Sequence, residues 1–327
     1  MKRILGIGNA LVDILMLLRS DRALDQLSLP KGSMQLIDEK MLKKIQSETL
    51  LLDQHIATGG SAANTIISLA HLGVNVGFIG KIGNDSVGEF FNGDLFENGV
   101  LTYLAYSTLP SGRCHVLISP DSERTMCTYL GAAANLQAED LKINMFKDFD
   151  ILHIEGYLVS NKELLLTAAR LAKKAKLKIS IDLASYNVVE ENLPFLLDFV
   201  EKYVDIVFAN EEEAFAFTKL KNDEKAAQTI ASLCDIAIVK VGQRGSFIHS
   251  KENKYRIPSV AVNCIDTTGA GDLYAAGFLY GLSHDLPLDQ CGKIGTICAG
   301  HVIRFVGAKM DDRTWKIINE AANTFQK

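Results

Sequence analysis

The sequence predicts a three-layer α/β/α domain with a mainly parallel sheet and a small β-lid. Three observations carry that reading. Short β-rich runs alternate with helical patterns through most of the chain, the signature of βαβ units with helices on both faces of a sheet. Strand candidates such as 236–241 are apolar almost throughout, as strands buried on two faces are. Two stretches, 11–36 and 101–129, break the rhythm with short apolar–polar alternation, which favours strands with one wet face.

Taken in order, an apolar strand at 3–7 opens the chain and is followed by the first lid stretch, 11–36. A helix at 62–72 ends at Gly73, and a strand at 76–79 precedes the second lid stretch, 101–129, with its Ser119-Pro120-Asp121 turn. The body then continues with strands 151–154 and 178–182 around a helix at 162–176, and a helix at 193–202. Strand 206–209, helices 211–219 and 226–233, and strands 237–241 and 246–249 lead to a last apolar helix at 272–282. No tandem repeat, low-complexity tract or Pro/Gly/Ser linker interrupts the pattern, so a single domain over 1–327 is expected.

Composition narrows the function. Of 327 residues, 48% are hydrophobic, ample for a packed core, and the net charge of −5 offers no basic face for nucleic acid. Lys2 and Arg3 before an apolar stretch resemble a signal peptide, but Asn9 and Asp13 interrupt it and no small-x-small site follows. No run reaches the ~18 uninterrupted apolar residues of a membrane span. Six scattered cysteines without a CxxC pair read as reduced thiols. Together these predict a cytoplasmic protein with no membrane or nucleic-acid partner.

Chemistry concentrates in Asp266-Thr267-Thr268-Gly269-Ala270-Gly271-Asp272, immediately before the apolar helix. Small residues let the backbone approach a ligand closely, and a helix start presents unpartnered N–H groups and a positive dipole end, a pocket suited to phosphate. Asp272 stands at its mouth, where the helix N-terminus keeps the carboxylate ionised and ready to accept a proton. A glycine-rich turn capped by an aspartate would look the same, and so would a capped helix at the second segment, Thr58-Gly59-Gly60-Ser61-Ala62-Ala63-Asn64. There Ser61 is a natural N-cap, Gly59 and Gly60 admit a substrate against the backbone, and Asn64 can both donate and accept.

The whole strings decide the matter. The 266–272 segment resembles the second signature of the ribokinase-like (PfkB) kinases, and Gly60, Asn64, Gly73, Gly80 and Gly83 follow the spacing of their first. The resemblance covers essentially the full chain and implies a ribokinase-like fold whose β-lid closes over substrate. It also implies ATP-dependent transfer of a phosphoryl group to a hydroxyl of a small acceptor. Asp272 would then be the base, the amides of Gly269, Ala270 and Gly271 the anion hole, and Gly59, Gly60 and Asn64 the border of the acceptor site.

Further positions follow from the same resemblance. Asn210 and Glu213 in Asn210-Glu211-Glu212-Glu213 match an NxxE motif and imply Mg²⁺ near the phosphates, with Glu213 acting through water. Lys240, Gly242 and Gly245 match a nucleotide-binding turn. Thr268, together with Ala299 and Gly300 of a helix that also carries Thr296, falls on the ATP side. Asp266 and Thr268 match positions linked to a monovalent cation, which would be potassium. Arg124, in a lid turn, and Lys240 are candidates for phosphate contact, whereas Asp182-Leu183-Ala184 departs from the family's D-P-N pattern. Gly8-Asn9-Ala10-Leu11-Val12-Asp13 resembles the opening of adenosine kinases, with Asp13 placed to take two neighbouring hydroxyls. That resemblance points to a nucleoside such as adenosine, with ribose or fructose as the alternative acceptor class. It leaves monomer and homodimer both open.

Other classes fit less well. A nicotinamide dehydrogenase needs a third glycine where Leu11 stands, and a P-loop needs Ser or Thr where Ile82 follows Gly80-Lys81. A non-catalytic nucleoside sensor on the same fold leaves Asp272 without a purpose.

Overall fold

The computed structural model describes residues 1–121 and 123–326; Ser122, within the lid turn, and Lys327 lie outside the described residues. In chain order the elements are β1 (Ile4–Ile7), β2 (Leu11–Leu17), α1 (Arg22–Leu27), β3 (Met34–Leu36), α2 (Glu39–Glu48) and β4 (Gln54–Gly59). Next come α3 (Ser61–His71), β5 (Val76–Gly83), α4 (Ser86–Glu97), β6 (Leu101–Ser107), β7 (Gly112–Ile118) and β8 (Arg124–Tyr129). The body follows with β9 (Ile151–Glu155), α5 (Lys162–Lys174), β10 (Lys178–Asp182), α6 (Tyr186–Tyr203), β11 (Ile206–Asn210), α7 (Glu211–Thr218) and α8 (Asp223–Ile230). It ends with β12 (Ile236–Lys240), β13 (Ser246–Ser250), β14 (Lys254–Ile257), α9 (Ala270–Ser283), α10 (Leu288–Val302) and α11 (Asp312–Asn323).

Nine strands form one sheet in the order β14-β13-β12-β11-β10-β9-β1-β5-β6, parallel except for the antiparallel pairs β12–β13 and β13–β14. Alternate residues of its strands enter two separate cores. Ile4, Ile206, Phe208 and Ile238 pack with α3, α9 and α10 on one face, while Leu5, Ile7, Val207 and Val239 pack with α5, α6, α7 and α8 on the other. That division explains the near-continuous apolar strands and confirms the three-layer α/β/α architecture.

A second sheet, ordered β3-β8-β7-β2-β4, forms the lid. Val12, Ile14 and Met16 of β2 are buried in the core, whereas Leu11, Asp13 and Leu15 are partly exposed on the opposite face. Its boundaries differ from those expected. β6 belongs to the large sheet, paired in parallel with β5, because Leu101-Thr102-Tyr103 continues that sheet's edge. β4 joins the lid beside β2, and a short helix, α1, lies inside the first lid stretch. The body also holds more helix than the periodicity showed. Ser185 caps α6 through Val188 N–H, so that helix starts eight residues before Pro194 instead of beside it, and α2, α4 and α11 were not anticipated. No helix among the described residues is long and apolar enough to cross a membrane.

Functionally, the important consequence is alignment. The carboxyl ends of the parallel strands bring Glu155, Asp182, Asn210 and Lys240 to one rim, with Asp182 in register with Glu155 and Asn210 with Lys240. In open α/β sheets this rim is where ligands bind.

Candidate active site

Gly269 turns the chain into α9 at φ +75°, and a Cβ there would stand 2.5 Å from the Ala308 Cβ. Only glycine meets both conditions. Asp272 sits in the first turn of α9, and the neighbouring helix α3, packed in the same core, holds it. Ser61 Oγ donates to Oδ1 at 2.7 Å, Asn64 Nδ2 donates to Oδ2 at 2.9 Å, and Thr65 Oγ1 donates to the Asp272 carbonyl at 3.1 Å. The two segments singled out in the sequence, some two hundred residues apart, thus meet at one carboxylate. Ser61 does not cap α3 as expected. Gly60 occupies the N-cap with φ +90°, which frees the Ser61 hydroxyl for Asp272. Asn64 Oδ1 is buried without a partner among the described residues.

Burial dominates the electrostatics here. It pushes the Asp272 carboxyl up to about 6, against the pull of the Asn64 and Ser61 hydrogen bonds. The helix N-terminus therefore does not hold this group in the ordinary carboxylate range, although it is still mainly ionised at neutral pH.

Asp13 lies on β2, opposite Ala57 of β4 and Cys114 of β7. Its carboxyl packs directly on Gly59, where a Cβ would approach Oδ1 to 2.4 Å, and a Cβ on Gly60 would strike the Asn9 carbonyl at the same distance. The two glycines thus let strand and lid close on one another. Burial raises Asp13 to about 6, and the Lys309 ammonium offsets part of that rise. Asp13 shares a cleft with Leu15, Ala57, Val116 and Met126 of the lid and with 306–309 of the body.

Asn9 contributes differently. Its Nδ2 donates to Glu155 Oε1 at 2.5 Å, while Glu155 Oε2 accepts the Ala62 N–H at 3.1 Å. Glu155 is 1% exposed, and burial lifts its carboxyl to about 7. Asn9 and Glu155 therefore brace the start of α3, which in turn holds Asp272.

At the end of β12, Lys240 Nζ donates to Asp182 Oδ2 at 2.8 Å and lies 3.1 Å from where a Gly271 Cβ would stand. It is no solvated strand end: its side chain is 15% exposed. Burial disfavours its charge, but Asp182 and Glu213 more than compensate and the ammonium is raised. Asn210 and Glu213 form a reciprocal capping box on α7, with Asn210 Oδ1 accepting the Glu213 N–H at 2.8 Å and Glu213 Oε1 and Oε2 accepting from Asn210 at 2.7 and 2.8 Å. Burial lifts Glu213 to about 7. Gly242 and Gly245 take positive φ in the turn after β12, and a Cβ on Gly245 would overlap the Ile257 carbonyl. On α10, a Cβ on Gly300 would lie 2.2 Å from Cγ2 of the exposed Val260, so close packing accounts for that glycine, and the neighbouring Ala299 packs against the core that holds α3 and α9.

Sequence reasoning missed Glu155 and Lys309 and left Asp182 without a role. The first and third carry a legible signal, an acidic residue closing a strand rich in isoleucine. Lys309 has none, because its place in the cleft comes from a loop packing against the lid.

The chain as a whole is similar to known proteins. A model described as the pfkB family of carbohydrate kinases matches residues 38–314. A probable sugar kinase protein from Rhizobium etli CFN 42 is similar at 33% identity, covering 99% of this chain and 98% of its own, with a TM-score of 0.87. Adenosine kinase from Sinorhizobium meliloti is 32% identical, covering 98% of this chain and 99% of its own, also at a TM-score of 0.87. Ribokinase from Haemophilus influenzae is 28% identical over 266 residues, 78% of this chain and 83% of its own.

Proposed function

This chain belongs to the pfkB family of carbohydrate kinases, phosphotransferases that act on sugars or nucleosides, and we propose that its acceptor is a nucleoside such as adenosine, phosphorylated from ATP with Asp272 as base. The observation that carries the acceptor is the wall around Asp13. Leu15, Ala57, Val116 and Met126 of the lid, with Val306 and Ala308 of the body, give the cleft an apolar wall, while His55, Thr58, Arg124, Thr268 and Lys309 line the rest of it beside Asp13, its one carboxylate. A nucleoside matches that division, with ribose hydroxyls on Asp13 and a flat base against the apolar wall. A free sugar carries hydroxyls on every side and would leave several unpaired against it.

In this reading the acceptor hydroxyl lies against Asp272, held ready by Ser61 and Asn64, and passes its proton to the carboxylate as it attacks the γ-phosphorus. The unpartnered Asn64 Oδ1 is available to a second group of the acceptor. Amides of Gly269, Ala270 and Gly271 receive the charge on the transferring phosphoryl group, and the Lys240 ammonium beside Gly271 adds a positive charge to the same place. Gly242 and Gly245 shape the adjoining nucleotide turn.

Magnesium would enter with the nucleotide, keeping several waters, and would neutralise phosphate oxygens. The residues present fit that mode. Each Glu213 oxygen is used once by the capping box and keeps one lone pair for a water, and no group of three metal-ligating side chains forms a dedicated cage among the described residues. Six unpaired cysteines, five of them buried, suit a reducing cytoplasm.

A screen of adenosine, inosine, ribose and fructose, reading acceptor-dependent ADP release with ATP and Mg²⁺, tests the proposal. Adenosine is expected to give the highest kcat/KM. A preference for ribose or fructose would make the chain a sugar kinase, and nucleoside binding without ADP release would make it a sensor.

A further inference from the structure

The monovalent cation implied for Asp266 and Thr268 does not fit the geometry of those residues. A carboxylate offers about four lone-pair positions. At Asp266, Oδ1 accepts the Thr268 N–H at 3.1 Å and the Thr268 hydroxyl at 2.8 Å. Oδ2 accepts the Gly307 N–H at 2.6 Å and the guanidinium of Arg124. All four positions are taken. The nearby Ile303 carbonyl is committed as well, accepting the N–H groups of Ile265 and Asp266.

Arg124 comes from the lid. It is the first residue of β8, paired with Ile118 of β7, and the same guanidinium nitrogen that meets Asp266 donates to Thr268 Oγ1 at 3.2 Å. The side chains of Arg124 and Asp266 are 17% and 9% exposed, so this pair is far better shielded from water than a surface ion pair. A hydrated potassium ion would have to displace an arginine that already supplies both the charge and directed hydrogen bonds.

We propose that Arg124 is the built-in cation of this protein: its guanidinium does at Asp266 what a monovalent cation would do, makes the protein indifferent to potassium, and fastens the lid to the loop preceding Asp272. The last part follows from connectivity. Asp266 ties Thr268 to Gly307, and Gly269 packs on Ala308, so the pair with Arg124 joins lid strand β8 to both walls behind the anion hole. The carboxyl of Asp266 is held below its ordinary value, because bonds from Gly307, Thr268 and Arg124 together outweigh the effect of burial. The catalytic consequence rests on the function proposed above; the potassium indifference does not.

The experiment is thermal melting in potassium chloride and in tetramethylammonium chloride at matched ionic strength, for the wild type, Arg124→Ala, Arg124→Gln and Arg124→Lys. Wild type and Arg124→Lys should melt at the same temperature in both salts. Arg124→Ala and Arg124→Gln, with the carboxylate vacated, should melt higher in potassium, and turnover lost in Arg124→Ala, by ~10-fold or more, should return in part with millimolar guanidinium. A potassium-specific rise in the wild type would overturn the proposal, and so would neutral variants that ignore potassium. The melting arm needs no catalysis, so an inactive protein with the expected salt pattern would refute the kinase reaction and leave the built-in cation standing.

Discussion

Asp272 lies on the body and Asp13 on the lid, near enough for the Asp272 charge to act on Asp13, and burial raises both to about 6. A base must be ionised to accept a proton, so kcat should fall as pH drops through about 6, while plots of log kcat stay level from there towards neutrality. A kcat unchanged down to pH 5 would contradict this assignment. On the proposed function Asp13 acts on binding, not on the chemical step. Asp13→Ala is expected to raise the KM of the acceptor by ~10-fold or more and to leave the KM of ATP nearly unchanged, since it removes contacts to hydroxyls alone. Initial-rate kinetics in both substrates check this, and equal losses for the two would displace the acceptor from Asp13.

Among the elements, α3 has the most exacting start. Gly60 enters it at φ +90° with the Asn9 carbonyl 2.4 Å from a would-be Cβ, and the next residues hold Asp272. Gly60→Ala should therefore cost ~1 kcal/mol or more of stability, read from urea unfolding, and lower kcat as well, because Ser61 and Asn64 move with the backbone. Loss of stability with full kcat would separate this turn from the base. Much of the arrangement was legible in the sequence. Residues 266–272 and 58–64 stand out as the two chemical segments, and in the fold they meet at Asp272. Less legible were features set by distant packing. Ser61 reads as a cap because the sequence does not show that Gly60 takes the N-cap, and β6 reads as lid because an edge strand alternates like a lid strand. Asn210 and Glu213 present a capping box in both sequence and structure, which is why a helix cap and a magnesium contact look alike there.

Across the whole molecule, four carboxyls of the body and the lid are withdrawn from water, Glu155 and Glu213 almost fully and Asp13 and Asp272 in part. Asp13 and Asp272 are raised to about 6, and Glu155 and Glu213 to about 7. A carboxyl raised on folding binds its proton more tightly in the native state. Its contribution to stability is full below the unfolded value and is lost as pH rises through the folded one. The ligand-free protein should accordingly lose melting temperature between about pH 4 and 7, and Asp272→Asn should flatten that fall and melt above the wild type at pH 8. An identical pH dependence in the variant would mean that Asp272 is not the strained group described here. On the proposed function, carboxyls that are costly together in the ligand-free protein would be relieved by a metal ion and by the hydroxyl donors of the acceptor.

The central claim is that one carboxylate, at the start of α9, takes the proton from the acceptor. Steady-state ADP release with saturating adenosine and ATP in Asp272→Asn tests it most directly. The variant should fold, bind ATP as the wild type does, and lose at least ~10²-fold in kcat. A folded Asp272→Asn protein turning over at near the wild-type rate would contradict it.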